Sequence, residues 1–261
     1  DARHRRRISI QGRSRPMITL HGGGAGFGLP EVSPYVTKTE VQLKMADLAY
    51  VKRLAQPHQS PKGQVPFIDD GCDRITDSTF IRAYLEQTYG LDFDEGLNPR
   101  QRAEAWAVER MCENHLAWVS AYTRWMIPAN FEKGPAHFFD GAPEPVRHRL
   151  RAEVLGRVAE ALRAVGVGRH TEAEVNALGV RSLQALSAIL GDQPYLMGQR
   201  PCGADATAFA ILAGIYTPYF ESELRRRAEA FGNLVGYVDR LMAQFYPDFA
   251  WKAAAPVAAA A

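Results

Sequence analysis

The stretch SPKGQVPF at residues 60–67, followed by the pair DS at 77–78, decides how this chain is read. Residues 65–69 are apolar enough for a short strand, and Asp70-Gly71 is a turn into a second strand at 74–76. A proline that opens a strand cannot donate to its ladder, which leaves two readings of Pro66. In one, it is a trans proline on an edge strand. In the other, Val65–Pro66 is cis and turns the Val65 N–H and C=O outward, toward a peptide-like ligand. The cis form is the expectation here, although it occurs in only about 5–6% of X–Pro bonds. Asp77-Ser78 then opens a helix with Phe80, Ile81, Tyr84, Leu85 and Thr88 on one face and Gly90 as its stop. A carboxylate and a hydroxyl at a helix N-terminus can grip the zwitterionic head of an amino acid. The dipole and hydroxyl take its carboxylate, and Asp77 takes its ammonium. The same pair also serves as a plain cap.

Toward the N-terminus, residues 17–20 form an apolar run that reads as a buried strand. HGGGAGFG follows at 21–28, between a strand and a helix, where phosphate loops sit. GxGxxG nevertheless fails in every register, no GK[ST] follows, and no acid ends the 50–54 strand to hold a ribose. Nucleotide binding is not the expectation on those grounds. Ser33-Pro34 starts a helix with Val41, Met45 and Leu48 as its stripe. A hydroxyl at that position lies where the macrodipole and free N–H groups favour an anion such as a thiolate. It can equally be an N-cap.

Toward the C-terminus, LDFDEGLN at 91–98 reads as a linker, and beyond it the pattern is helical. Asn98-Pro99 starts a helix running to about Met126, and further helices fit 144–165, 171–190, 204–216 and 220–245. The apolar stripe after Asn98 is Ala103, Trp106, Ala107, Met111, Trp118, Val119 and Tyr122. Arg110 and Asn114 lie on or beside it, with His115 adjacent.

With 46% apolar and 23% charged residues among 261, the chain is an ordinary globular one. Its three cysteines, Cys72, Cys112 and Cys202, form no CxxC pair. That argues against a disulfide framework and a structural zinc, and for a reducing cytoplasm. No helical His/Glu spacing supports a metal. No apolar run is long enough to cross a membrane. The net charge of +2 conceals a leader, residues 1–16, with six arginines against one acid. It reads as a basic extension outside the fold rather than as a nucleic-acid arm. Residues 253–261 read as a frayed end.

Taken together, these motifs resemble the glutathione S-transferase superfamily. Ser33-Pro34-Tyr35-Val36 is similar to the Cys-Pro-Tyr-Cys motif of glutaredoxins with both cysteines replaced. PKGQVPF resembles the family's loop into a cis-proline strand, and Asp77-Ser78 its acidic-Ser pair. Pro201-Cys202-Gly203-Ala204-Asp205-Ala206 resembles the buried N-cap segment of its core helix, which makes Asp205 structural. The wording of residues 61–67 and 77–90 is most similar to the branch with failed-axon-connections proteins and metaxins. Two departures stand out. The loop 21–32 is long for the family, and 55–64 is too short for a full second helix.

The resemblance implies an α/β plus all-α fold. A thioredoxin-like domain (βαβ-ββα, reduced second helix) at 17–90 is followed by the linker 91–98, an all-helical domain at 99–246 and a tail at 247–261. It implies glutathione as co-substrate, held by Lys62, Val65, Pro66, Asp77 and Ser78. Ser33, or Tyr35 as the alternative donor, would stabilise the thiolate. Arg110, Asn114, His115 and Tyr122 are candidates for holding a small hydrophobic electrophile, Arg110 and His115 being equally readable as structural. No metal is expected, and the family likeness suggests a homodimer. The competing implication is a binding module that kept the fold and lost the chemistry.

Overall fold

The computed structural model describes residues 17–251. Residues 1–16, expected as a basic leader, and 253–261, expected as a frayed end, lie outside the described residues. The first half contains β1 (Ile18–Gly22), α1 (Pro34–Met45), β2 (Tyr50–Leu54), β3 (Phe67–Asp70), β4 (Asp73–Thr76) and α2 (Ser78–Tyr89). The strands form one sheet in the order β2-β1-β3-β4. β1 runs parallel to β2, with Ile18 opposite Tyr50, and antiparallel to β3, with Leu20 opposite Ile68. Period-2 alternation sends Ile18, Leu20 and Ile68 inward, where they meet Val36, Leu43, Ile81, Leu85 and Phe93.

On the other face, the place of a second helix is taken by a 3-10 turn at Pro57–Gln59. Side chains cover part of that face instead. His21 stacks on Phe67 at 4.2 Å, and Arg74 lies over the same ring. Arg74 also forks onto Asp69, which accepts from His21.

The second half comprises α3 (Pro99–Met111), α4 (Ala117–Trp125), α5 (Pro128–Lys133), α6 (Glu144–Ala164), α7 (Glu172–Leu190), α8 (Gly203–Tyr216), α9 (Glu223–Ala228) and α10 (Gly232–Phe245). Asn98 and Gln101 form a capping box on α3, and Thr171 and Glu174 form another on α7. α8 is buried along its whole length. It runs through the centre of the helical half and packs against α1.

Three expectations are revised. A π turn at Cys112–Leu116 joins α3 to α4 and shifts the helix face. The buried side therefore carries Ala105, Val108, Glu109, Cys112, Glu113, Leu116, Val119, Thr123 and Arg124, whereas Trp106 is 53% exposed. On α2, Phe80 is 59% exposed while Ile81 and Leu85 are buried. The single helix expected over 220–245 is two, because Ser222 caps α9 and the chain turns again before Gly232.

The segment 91–98 is packed rather than free. Phe93 joins the sheet core, and its carbonyl and the Asp94 carboxylate both accept from the Gly203 N–H. At the far end, Trp251 Nε1 donates to Asp239, so the packed chain continues past 246.

Candidate functional site

Ser33 occupies the N-cap position of α1 with extended backbone (φ −95°, ψ 119°), yet its hydroxyl makes no capping bond. Its carbonyl accepts from the Thr37 N–H and hydroxyl. Pro34 has no N–H to offer. The Tyr35 and Val36 N–H groups in the first turn have no partner among the described residues. The head of α1 thus presents a half-buried hydroxyl beside two uncapped amides, which suits an anion.

Glu31, beside Ser33, was not singled out from the sequence. It is 1% exposed, and its carboxylate accepts from the N–H groups of Gly23, Gly24 and Ser33 at 3.0, 3.0 and 3.2 Å. Lys52 lies 3.3 Å away and also pairs with Glu40. Burial raises the Glu31 pKa, and Lys52 and the backbone donors oppose the rise. The glycine run is built around this acid. A Cβ on Gly22 would come within 2.6 Å of Val36 and 2.9 Å of Glu31, and Gly24 has φ +85°. The amides that suggested a phosphate loop hold an internal carboxylate instead. The signal was available as an acid two residues before Ser33.

Val65–Pro66 is cis. The Pro66 carbonyl accepts from the Asp77 N–H, while the Val65 N–H and C=O have no partner among the described residues. Asp77 caps α2 through Thr79 N–H at 2.9 Å and accepts from Gln64 at 3.1 Å. Its φ of +78° is unusual for a residue with a side chain and costs of order 1–3 kcal/mol. Ser78 is 4% exposed and lies directly behind it. Lys62 is exposed, with its ammonium 4.0 Å above the Phe80 ring.

Tyr35 faces the helical half. Burial pushes its pKa up to about 12, Glu113 and Asp77 add to the rise, and Arg110 opposes it. Arg110 donates to Glu113 at 2.8 Å and lies over Trp106. The other three candidates of the helical half are not gathered with Arg110. Asn114 is exposed. His115 meets Ser182 of α7 at 3.0 Å, and burial followed by His170 lowers its pKa. The Tyr122 pKa is raised by burial and by Glu172 at the start of α7. His115 and Tyr122 therefore turn toward α7, away from Tyr35.

Another group lies closer to Ser33. Arg124 is 9% exposed and donates to the carbonyls of Val32 (3.1 Å) and Gly214 (3.3 Å). Phe27, at φ +58°, anchors the long loop to the helical half. Its ring meets Phe138, Tyr219 and Phe220, and its carbonyl accepts from Thr217. These aromatics and Arg124 form a mostly apolar wall beside the head of α1. Among the described residues, no group of three or more His, Cys, Asp or Glu side chains could hold a metal. No helix there is long and apolar enough to cross a membrane.

Two family models match the chain, the Glutathione S-transferase N-terminal domain over residues 34–130 and the Glutathione S-transferase, C-terminal domain over 179–241. Among curated proteins, Failed axon connections of Drosophila melanogaster is 31% identical over 85% of this chain, which spans 56% of that protein. Isoprene-epoxide--glutathione S-transferase of a Rhodococcus strain is 29% identical over 88% of this chain and 99% of its own length. Metaxin-2 of Mus musculus is 29% identical over 76% of both chains. Among solved structures, a beta-etherase from a Sphingobium strain superposes with TM-score 0.63 at 17% identity, covering 89% of this chain and 99% of that one. A glutathione S-transferase from Methylobacterium radiotolerans in complex with glutathione sulfonate gives TM-score 0.58 at 17% identity, covering 94% and 99%. At these identities, the structural likenesses show the fold alone.

Proposed function

Because the chain belongs to the glutathione S-transferase superfamily, we propose that it binds glutathione at the head of α1 and transfers its sulfur to a small electrophile. The observation that carries the reading is the uncapped Ser33 hydroxyl beside the free Tyr35 and Val36 amides. In this reading the glutathione backbone pairs with the free Val65 N–H and C=O, and its γ-glutamyl head meets Asp77 and Ser78. Lys62 stands at the glycine end. The sulfur lies at Ser33, whose hydroxyl donates to the thiolate. A thiol pKa lowered by about two units needs about 2.7 kcal/mol. One charge-assisted hydrogen bond and a helix terminus supply that order of energy.

The name and full-length match of the Rhodococcus relative support a small epoxide as electrophile. The thiolate attacks an epoxide carbon, the C–O bond breaks, and the alkoxide formed takes up one proton. Tyr35, held protonated at neutral pH, is the donor in reach of the helical half. The apolar part of the substrate rests on the Phe27, Phe138 and Tyr219 side of that wall, with the buried Phe220 behind it. A reducing cytoplasm suits free glutathione. In a homodimer, the exposed Phe80 and Trp106 are the apolar side chains a second copy would cover.

Ser33→Ala is expected to lower turnover with a general electrophile ten- to hundredfold, the loss of about 1.5–3 kcal/mol. Glutathione affinity should change little, because the peptide is held elsewhere. Calorimetry and steady-state rates check this. If only Tyr35→Phe loses turnover, Ser33 is not the thiolate donor.

A second reading is favoured by one observation. The Glu31 carboxylate engages the Ser33 N–H and places negative charge where a thiolate would form. A binding module similar to the metaxins would tolerate that charge. Wild-type protein that neither binds glutathione in calorimetry nor conjugates an electrophile would establish this reading over the first.

A further inference from the structure

Buried guanidinium groups are normally matched by carboxylates, since an unpaired charge inside a protein is costly. The contrast between two arginines of this chain is sharp. Arg82 reaches Glu86, Asp94 and Glu109. Arg124 is 9% exposed and makes no ion pair among the described residues. It has only two carbonyls, those of Val32 and Gly214, and the faces of Phe27 and Phe220. Its Nε has no partner, and the side chain lines a cavity of about 10 Å³ with Ser120, Thr123 and Ser222. Burial pulls its pKa down to about 10, which leaves it cationic at neutral pH.

Its position gives that charge a use. Arg124 comes from the helical half, yet its Nη1 holds the carbonyl of Val32, one peptide from Ser33. The helical half thereby fixes the residue that precedes the α1 cap. We propose that Arg124 is a positioning residue that orients Ser33 through Val32 and supplies the positive charge favouring an anion at the Ser33 hydroxyl. The inference deepens the transferase reading, on which it rests for the identity of that anion. The opposing charges around the head of α1 are Glu31 from its own loop, Asp77 at the head of α2 and Glu113 on the π turn. Lys52 from β2, Lys38 on α1 and Arg110 on α3 add positive charge.

The test does not need glutathione. Ser33→Cys on a Cys72→Ser background places a thiol at the site, while Cys112 and Cys202 are buried. The introduced thiol is titrated by thiolate absorbance and by its alkylation rate against pH. It is expected to titrate below the ordinary cysteine value of about 8.5. Adding Arg124→Gln, which removes the charge, is expected to raise its pKa by about one unit, a roughly tenfold loss of thiolate near neutral pH. Arg124→Lys keeps the charge and is expected to move it by less than half as much. An unchanged titration in a folded Arg124→Gln protein would overturn the proposal. If Arg124→Gln does not fold, Arg124→Lys still decides the matter. A full-unit rise there overturns the claim that the Arg124 charge favours the anion; an unchanged value supports it. Failure of the wild type to bind glutathione would overturn the transferase reading and leave this titration result standing.

Discussion

Lys38→Met is expected to lower the stability of the protein by about 3–5 kcal/mol, the cost of stranding buried carboxylates. For a chain of this size, that is a fall in melting midpoint of roughly 10–15 °C. Lys38 is 1% exposed on α1 and bridges Glu109 at 3.2 Å and Glu113 at 2.6 Å, both on the helical half. Glu109 also accepts from Arg82 and Thr207, and Glu113 accepts from Arg110. The lysine is the ammonium of a charge network that joins α1 to the helical half. Methionine fills its volume and supplies no charge, so two acids out of water share fewer donors. The effect should be partly reversible by chemistry. Adding Glu113→Gln removes one stranded charge and should restore about 1–2 kcal/mol. Thermal and urea unfolding of the three proteins checks both statements. A single variant within about 1 kcal/mol of the wild type would mean that the network contributes to specificity of docking and not to stability.

Lys38 also shows where sequence reading loses information. Val41 and Met45 of the expected stripe of α1 were legible by period, whereas Leu48 lies past the end of the helix at Met45. That stripe says nothing of Lys38, Thr39, Glu40 and Gln42, yet all four are buried. The helix lies between the sheet and α8, so both of its faces are interior, and periodicity reports only the apolar one. The order of strands and helices along the first half, the helix starts at Pro34, Ser78 and Pro99 and the stop at Gly90 were legible because local chemistry sets them. The electrophile side was less so. The π turn rotates the helix between Arg110 and Tyr122, and straight 3.6-residue counting cannot carry a face across it. That is why Arg124 was not singled out, while His115 and Tyr122 were grouped with Arg110. Glu31 was passed over for a different reason. A glycine run was tested only against ligand phosphates, although a neighbouring acid of the chain can take the same amides.

Asp205→Ala is expected to cost about 4 kcal/mol while leaving glutathione affinity of the folded fraction unchanged. The carboxylate is 0% exposed at the third position of α8. Its oxygens accept from the N–H groups of Leu196 (2.9 Å) and Cys202 (2.8 Å), and from the Tyr237 hydroxyl (2.8 Å). Burial raises its pKa, and the three donors pull against that rise. Alanine leaves the Leu196 and Cys202 N–H groups inside the protein without an acceptor, at about 1–3 kcal/mol each before relaxation, and leaves the Tyr237 hydroxyl only the residue-205 carbonyl at 3.3 Å. The loss exceeds that of an ordinary cap, about 0.5–2 kcal/mol, because the cap also ties the 191–202 loop and α10 to the helix start. Asp205→Asn separates shape from acceptor capacity. It keeps the volume but turns an NH₂ toward one of the three donors, so it should cost nearly as much as alanine. If Asn were neutral while alanine was severe, packing volume would be the cause. If alanine left the unfolding midpoint in place and abolished binding, Asp205 would belong to the site and not to the frame of α8.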